Sequence, residues 1–263
     1  MGLRLRYHGA MADNFPKSTL IGVLLPALLT LAGFARADGD YMGSTVCATC
    51  HQTPFQQWQG SHHDLAMQRP TPETVLGDFN DARFNYNGIE TRFYRRDGQF
   101  LVSTDGPDGS VGEFPVTWVF GVFPLQQYLL PLDNGKLQAF SIAWDSRPAA
   151  EGGQRWYHLY PDETVDHSDP LHWTGPYQNW NTRCAECHST DVEKNYSADT
   201  RRFETRFFEE DVACEACHGP GGDHVARVWA GKPVTGENSA LLSLAQRGEW
   251  VFDTDASIAR RRM

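Results

Sequence analysis

The sequence has no cysteine outside three short units, few methionines and no excess of basic charge. Lysine and arginine number 23 against 33 acidic residues, which gives a formal net charge of −10 at pH 7. Such an acidic chain is a poor candidate for nucleic-acid binding and a reasonable one for contact with a basic protein partner. Hydrophobic side chains make up 40% of the 263 residues, which is sparse for a core of this size. Residues 90–160 contain no pattern of a nucleophile triad or a phosphate-binding loop.

The sequence also lacks an uninterrupted apolar run long enough to span a membrane. The longest run, Leu20–Ala35, is broken by Pro26 and falls short of the about 20 residues that a spanning helix needs. Basic residues precede this run and small residues at Ala35 and Ala37 end it, which is typical of a secretory signal peptide. We expect residues 1–37 to be cleaved, with an uncleaved anchor as the alternative. The mature protein is then exported to the periplasm or beyond in a bacterium, without membrane insertion.

All six cysteines fall in one repeated pattern. CATCH occupies residues 47–51, CAECH residues 184–188 and CEACH residues 214–218. An even cysteine count in an exported protein normally indicates disulfides, and such pairs also bind structural zinc. Disulfides, however, do not require a histidine after every second cysteine. A zinc site would leave the first pair without a partner, and the second and third pairs are farther apart than the about 15–20 residues of a usual zinc loop.

C-x-x-C-H is the attachment signature of c-type haem. On one helical turn the two thiols point to the same side and can add to the two vinyl groups of a porphyrin, while the histidine reaches the iron. With 10 histidines in the chain, a chance histidine after all three pairs has a probability on the order of 10⁻⁴. We therefore expect three covalently attached haems, which would form much of the core. The expected thioether anchors are Cys47, Cys50, Cys184, Cys187, Cys214 and Cys217, and the expected proximal iron ligands are His51, His188 and His218.

The sixth iron ligand decides between an electron carrier and an open catalytic site. The candidates for this distal position are His63, His224, His172 and His158. The connection from His218 to His224 is short and glycine-rich, so we expect His224 to bind a neighbouring haem. His63 is expected on a helix that carries it toward an adjacent haem, and we prefer it to its neighbour His62.

The third distal position is a choice between two histidines. His172 lies shortly before the second motif, and His158 lies on an expected strand. We prefer His172, and the alternative for His158 is a packed, hydrogen-bonded strand residue. His167 lies in an acidic loop and is expected to be exposed.

Residues 90–160 have the alternating pattern of an antiparallel β segment. Asp97-Gly98 and Asn134-Gly135 are typical of hairpin turns. We expect four to six strands, with aromatic side chains that form a small core next to the first haem. The expected fold class is α+β, with haem-packed helices, an inserted antiparallel β segment and little regular structure around the haems. The expected segments are the signal peptide 1–37, a first haem segment 38–89, the β segment 90–160, a second and third haem segment 161–230, and a C-terminal tail 231–263.

Long strings around the motifs resemble a known group of proteins. YMGSTVCATCHQTPFQQWQGSHHDLAM, DPLHWTGPYQNWNTRCAECHST and CEACHGPGGDHV are similar to bacterial exported multihaem cytochromes related to the nitrifier tetrahaem cytochrome c. The closest similarity is to a branch with further haem units and C-terminal tetratricopeptide repeats. The resemblance implies electron transfer between redox protein partners through largely bis-histidine haems, and it supports His63 and His224 as distal ligands. The repeats are absent here, so the chain is expected to be a short form or a truncated one.

Three function classes follow from the sequence. The leading prediction is an electron carrier with closely spaced haems. The alternative is an oxidoreductase for a nitrogen or sulfur oxyanion, with the first haem five-coordinate and with Arg92–Arg96 and Tyr157 near the open iron. A docking module whose haems only stabilise the fold is the third class.

Overall fold

The structure is a computed structural model that describes residues 40–234. The expected signal peptide and the tail from residue 235 onward lie outside the described residues. Six short helices are formed by Ser44–Ala48 (α1), Gln52–Trp58 (α2), Trp180–Arg183 (α3), Ala185–His188 (α4), Cys214–His218 (α5) and Gly222–Trp229 (α6). The strands are Met67–Gln68 (β1), Ala82–Tyr86 (β2), Ile89–Arg96 (β3), Gln99–Asp105 (β4), Val111–Pro115 (β5), Trp118–Phe120 (β6), Leu125–Leu132 (β7), Lys136–Ala139 (β8), Ile142–Asp145 (β9), Arg155–His158 (β10), Tyr196–Ser197 (β11) and Arg202–Phe203 (β12).

The strands form three antiparallel sheets. The four-stranded sheet has the order β2-β3-β4-β5, and the six-stranded sheet has the order β1-β6-β7-β9-β10 with β8 paired to β7. Strands β11 and β12 form a separate two-stranded sheet. Within the described residues, no helix is long and apolar enough to cross a membrane.

An aromatic cluster fills the space between the two larger sheets. Phe79 lies at its centre and makes edge contacts with Phe93, Phe100, Tyr128 and Trp156, at centroid distances of 5.2–5.6 Å. These residues come from both sheets and are nearly or completely buried. The expected aromatic core of the β segment is therefore present, and it holds the two sheets together.

The opposite face of the six-stranded sheet packs against the second cysteine motif. Leu129 on β7 and Trp118 on β6 pack with Trp180 and Ala185 of helices α3 and α4. Successive strand side chains point to opposite faces, so Tyr128 and Leu130 enter the aromatic cluster while Leu129 faces the motif. The β segment thus supports the second motif, and not the first as expected from the sequence.

The α+β class is confirmed, with several differences in detail. Both expected hairpin turns are present, with positive φ angles at Asp97 (53°), Gly98 (79°), Asn134 (62°) and Gly135 (69°). The segment contains eight strands, β3 to β10, instead of the expected four to six. Turns divide apolar runs that look continuous in the sequence. The sheet structure begins before residue 90, with β1 and β2. After residue 161 the described chain has short helices, of which α6 is the longest, and the two short strands β11 and β12, in mostly irregular structure.

Candidate functional site

Each C-x-x-C-H unit forms about one turn of helix. The amide of His51 donates to the carbonyl of Cys47 at 2.8 Å, and the amide of His188 donates to the carbonyl of Cys184 at 3.2 Å. The third unit is helix α5 itself. A helical turn places residues three apart on one side, which is the arrangement that two thioether bonds to one porphyrin require.

The first and third motifs lie side by side. The Cys47 thiol is in hydrogen-bonding contact with that of Cys214. The amide of Ser44, at the start of α1, donates to Glu209 Oε1 at 3.0 Å, and Trp58 Nε1 donates to the carbonyl of Val212 at 3.0 Å. These long-range contacts bring together two motifs that are far apart in the sequence.

A cavity of about 600 Å³ separates the first and third motifs from helix α6. Its walls include Cys47, Cys50 and His51 of the first motif, Cys214 and His218 of the third motif, and His224, Val225, Val228 and Trp229 of α6. Cofactor sites typically have volumes of about 300–1,000 Å³ with mainly apolar walls and few polar groups. The thiols, the imidazoles and the apolar residues of this cavity form a donor set and a surface that fit haem.

His51 and His224 face each other across this cavity. Their ring centroids are 6.2 Å apart, with an interplanar angle of 31°. Two imidazoles on opposite sides of one metal ion, each at a metal–nitrogen distance of about 2 Å, have centroids about 6 Å apart. The spacing therefore fits an axial pair that combines the first motif with His224 of the segment after the third motif.

The second motif is fixed by hydrogen bonds on both sides. His188 Nδ1 is 3.0 Å from the carbonyl oxygen of Ala66, so Nδ1–H donates and Nε2 is left for a metal. Phe120 contacts the His188 ring edge-on at 5.3 Å. Asn181, on the helix before the motif, accepts the amide of Leu137 at 2.8 Å and joins the motif to the β8 hairpin.

Thr190 connects the second motif to the third. Its side chain is completely buried, and Oγ1 donates to the carbonyl of Asp211 at 2.8 Å while it accepts the amide of Ala213 at 3.0 Å. Residue 213 immediately precedes Cys214, so the end of one motif is held against the start of the other. The sequence pattern does not single out this threonine.

His62 and His63 lie in turns after α2, and not on a helix as expected. Helix α2 ends at Trp58, and both histidines are exposed. The carbonyl of His63 accepts the amide of Val212 at 3.2 Å, which places His63 next to the third motif. The His62 ring lies 6.4 Å from Phe123, in the loop that follows Phe120.

His172 is held within the β segment. Its Nε2 donates to Asp105 Oδ2 at 3.2 Å and its Nδ1 accepts the amide of Thr174 at 3.3 Å. Burial is the largest single effect and opposes ionisation of Asp105, but the hydrogen bond and charge of His172, together with the hydrogen bond from Thr104, lower the pKa of the carboxyl. Both ring nitrogens are engaged, so we do not retain His172 as a distal ligand.

His158 is also held within the β segment. It is 7% exposed, stacks on Tyr86 at 3.7 Å and accepts the amide of Tyr160 at Nδ1. Burial lowers the pKa of His158, which keeps the ring neutral. These contacts fit the alternative of a packed strand histidine better than the role of a distal ligand. His167 is exposed, as expected.

The basic residues considered for an oxyanion site lie at solvent-accessible positions of strand β3. Arg92 pairs with Asp81, Arg96 pairs with Glu113, and Arg95 lies over the ring of Phe100. Exposed ion pairs of this kind are typical of a solvated protein surface. Tyr157 is paired with Ala143 on the adjacent strand.

Asp211 is an acid in an unfavourable environment close to the third motif. Its Oδ1 atom is buried and has no hydrogen-bond partner among the described residues. Burial raises the pKa of Asp211 to about 7, and the charges of Glu209, Asp64 and Glu210 act in the same direction.

Asp211→Asn is expected to stabilise the protein at neutral and alkaline pH. The folded chain holds this proton up to a pKa of about 7, whereas an aspartate in the unfolded chain has a pKa of about 3.9. The stabilisation from the protonated carboxyl is therefore complete below about pH 4 and is lost as the pH rises through about 7. The thermal unfolding midpoint of the variant should exceed that of the wild type by a few degrees at pH 8 and by little at pH 4. An equal gain at both pH values would contradict this account.

The family model described as cytochrome c554 and c-prime matches residues 46–80 and 154–219. The matched residues include all three C-x-x-C-H units. Over these residues the chain is similar to multihaem c-type cytochromes. Such a cytochrome carries covalently bound c-type haem at its C-x-x-C-H units. The resemblance seen in the sequence is thus confirmed at the level of this class.

Two solved structures are similar to this chain. The outer cell wall cytochrome OcwA has 19% sequence identity and a TM-score of 0.44, over 74% of this chain and 35% of that one. An undecahaem cytochrome from the S-layer of Carboxydothermus ferrireducens has 22% identity and a TM-score of 0.44, over 81% of this chain and 24% of that one. The chain therefore spans about a third or less of the length of these structures. No curated protein matches it.

Proposed function

We propose that this cytochrome binds three haems and transfers single electrons between redox proteins. The observation that carries the proposal is the joining of all three attachment motifs in one region. Cys47 contacts Cys214 across the first and third motifs, and Thr190 joins the second motif to the third. Haems attached at these positions would be near neighbours, which is what electron transfer along a chain of haems requires.

In this proposal each iron has two histidine ligands. The centroid distance of 6.2 Å supports His51 and His224 as the axial pair of the first haem. The contact between His63 and Val212 supports His63 as the partner of His218 at the third haem. We assign His62, which lies next to Phe123 in the loop that follows Phe120, as the ligand that completes the second haem, because Phe120 contacts the ring of His188.

The partners are other redox proteins outside the cytoplasm. The signal-peptide pattern of residues 1–37 supports export to the periplasm or the cell surface of a bacterium. The net charge of −10 favours a basic docking partner and disfavours nucleic acid. The resemblance to longer cytochromes makes further haem units or repeats, on this or another chain, natural neighbours in the electron path.

A second candidate function is an oxidoreductase with an open iron at the second haem. The observation that favours it is the hydrogen bonding of His172 and His158 within the β segment, which removes two of the four candidate distal ligands. The sequence favoured an open iron at the first haem. The structure favours the second haem instead, because His224 is available as a ligand for the first.

Carbon monoxide binding to the reduced cytochrome distinguishes the two functions. An iron with two histidine ligands has no free position, so electron transfer through bis-histidine haems predicts no carbon monoxide adduct and a wholly low-spin oxidised spectrum. One carbon monoxide molecule per chain would contradict that proposal and favour the oxidoreductase. His62→Ala is the matched variant: it should create carbon monoxide binding if His62 completes the second haem.

A further inference from the structure

We infer that Glu215 is a positioning residue that holds His224 opposite His51. This inference rests on the proposed axial pair of the first haem. Glu215 is the residue after the first cysteine of the third motif, a position that covalent haem attachment leaves free in sequence. The equivalent residues of the other two motifs are Ala48 and Ala185.

The carboxylate of Glu215 is buried and fully engaged. The residue is 2% exposed. Its Oε1 accepts the amide of Gly221 at 2.6 Å and that of Met42 at 3.0 Å. Its Oε2 accepts the amide of Gly43 at 2.7 Å and that of Met42 at 2.9 Å. A buried carboxylate is costly unless it is hydrogen-bonded, and here three backbone amides satisfy it.

These three amides belong to two segments that carry the proposed ligands of the first haem. Met42 and Gly43 lead directly into α1, which contains Cys47. Gly221 is the residue at the N-terminus of α6, and His224 lies in the first turn of that helix. One side chain of the third motif therefore joins the segment leading to the first motif with the helix that carries its proposed distal histidine.

The close approach of these segments depends on glycine. Gly43 has a φ of 85°, which is the left-handed region that favours glycine. A Cβ atom on Gly222 would lie 2.8 Å from the carbonyl oxygen of Asp40, and the amide of Gly222 donates to that same oxygen. The backbone around Glu215 is thus built to bring α6 against the segment before the first motif.

Glu186 is a natural control for Glu215. It also lies between the two cysteines of a motif, but its side chain is 67% exposed and pairs with Lys194 at 2.7 Å. Substitution of Glu186 changes the same residue type in the same kind of motif without loss of a buried contact.

The test compares variants of the haem-loaded protein by carbon monoxide binding and by the high-spin fraction of the oxidised spectrum. Relative to the wild type, Glu215→Ala is expected to gain up to one carbon monoxide molecule per chain. Glu215→Gln keeps the volume but has only one acceptor oxygen, so it should gain a smaller fraction. Glu186→Gln should behave like the wild type. The double variant Glu215→Ala/His224→Ala should bind no more carbon monoxide than His224→Ala alone, because both changes open the same iron.

The outcomes separate the role of Glu215 from the ligand pair on which it rests. Wild-type behaviour of His224→Ala would overturn the pair itself. If His224→Ala gains carbon monoxide binding but the Glu215 variants do not, the role of Glu215 is overturned while the ligand pair stands. Extra binding in the double variant would overturn it as well, since Glu215 would then act on another haem. If Glu215→Ala does not accumulate, Glu215→Gln decides, and failure of both to load haem would make Glu215 a general folding residue instead.

Discussion

Replacement of Cys184 and Cys187 by alanine is expected to lower covalently bound haem from three to two per chain. Without both thiols no thioether bond can form at the second motif, while the other two motifs keep theirs. Helix α4 should still fold, because Ala185 and the fully buried Trp180 pack against Leu129 of the six-stranded sheet. The measurement is the haem-to-protein ratio of the purified, denatured protein.

The same replacement at the first motif should have a broader effect. Cys47 and Cys50 line the cavity that also contains Cys214 and His218, so loss of the first haem removes packing from the third. Cys47→Ala/Cys50→Ala is therefore expected to give less holoprotein than the second-motif variant. Glu186→Gln is the control and should keep three haems. Retention of three haems in either cysteine variant would contradict the assigned attachment sites.

His224→Ala is expected to convert one low-spin haem into a high-spin haem that binds carbon monoxide when reduced. The alanine variant removes the imidazole whose ring lies 6.2 Å from that of His51 and leaves the first iron with one histidine. The reduction potential of that haem should also shift, because the axial ligand is a main determinant of potential.

His167→Ala is the control for this experiment. His167 is an exposed histidine in the loop near Gly109 and is not in contact with the cavity lining. It should leave the spin state unchanged. An unchanged spectrum of His224→Ala would instead show that another group completes the first iron.

The three C-x-x-C-H units can be recognised in the sequence because they are a local pattern, and haem attachment at their cysteines stays a prediction. Two thiols and an imidazole within five residues make the chemistry, and no distant contact is needed to recognise it. The hairpin turns at Asp97-Gly98 and Asn134-Gly135 were predictable for the same reason, because the residues of the turn themselves favour the positive φ angles that it requires.

The arrangement of the motifs could not be predicted from the sequence. The first motif is far from the third along the chain, yet Ser44 contacts Glu209 and Cys47 contacts Cys214. From the sequence, the aromatic core of the β segment was expected next to the first haem. The contacts that decide the matter are hydrogen bonds to individual carboxylates and carbonyls, which leave no periodic signal.

Proximity in sequence was also a poor guide to the role of His172. This histidine lies shortly before the second motif, but its ring turns toward Asp105 in the β segment. His224 was assigned to a neighbouring haem from the reach of the short glycine-rich connection, and its position across from His51 supports that reasoning. Which haem His224 faces depends on the packing of α6. Glu215 is central to that packing, but nothing in the sequence distinguishes it beyond its place between two cysteines.

The most direct test of the central claim is the intact mass of the purified mature protein under denaturing and reducing conditions. Only haem held by thioether bonds remains with the chain under these conditions, whereas zinc dissociates and disulfides are reduced. The account predicts the mass of the polypeptide plus three haem groups. The mass of the bare polypeptide, or of the polypeptide with fewer than three haems, would contradict it.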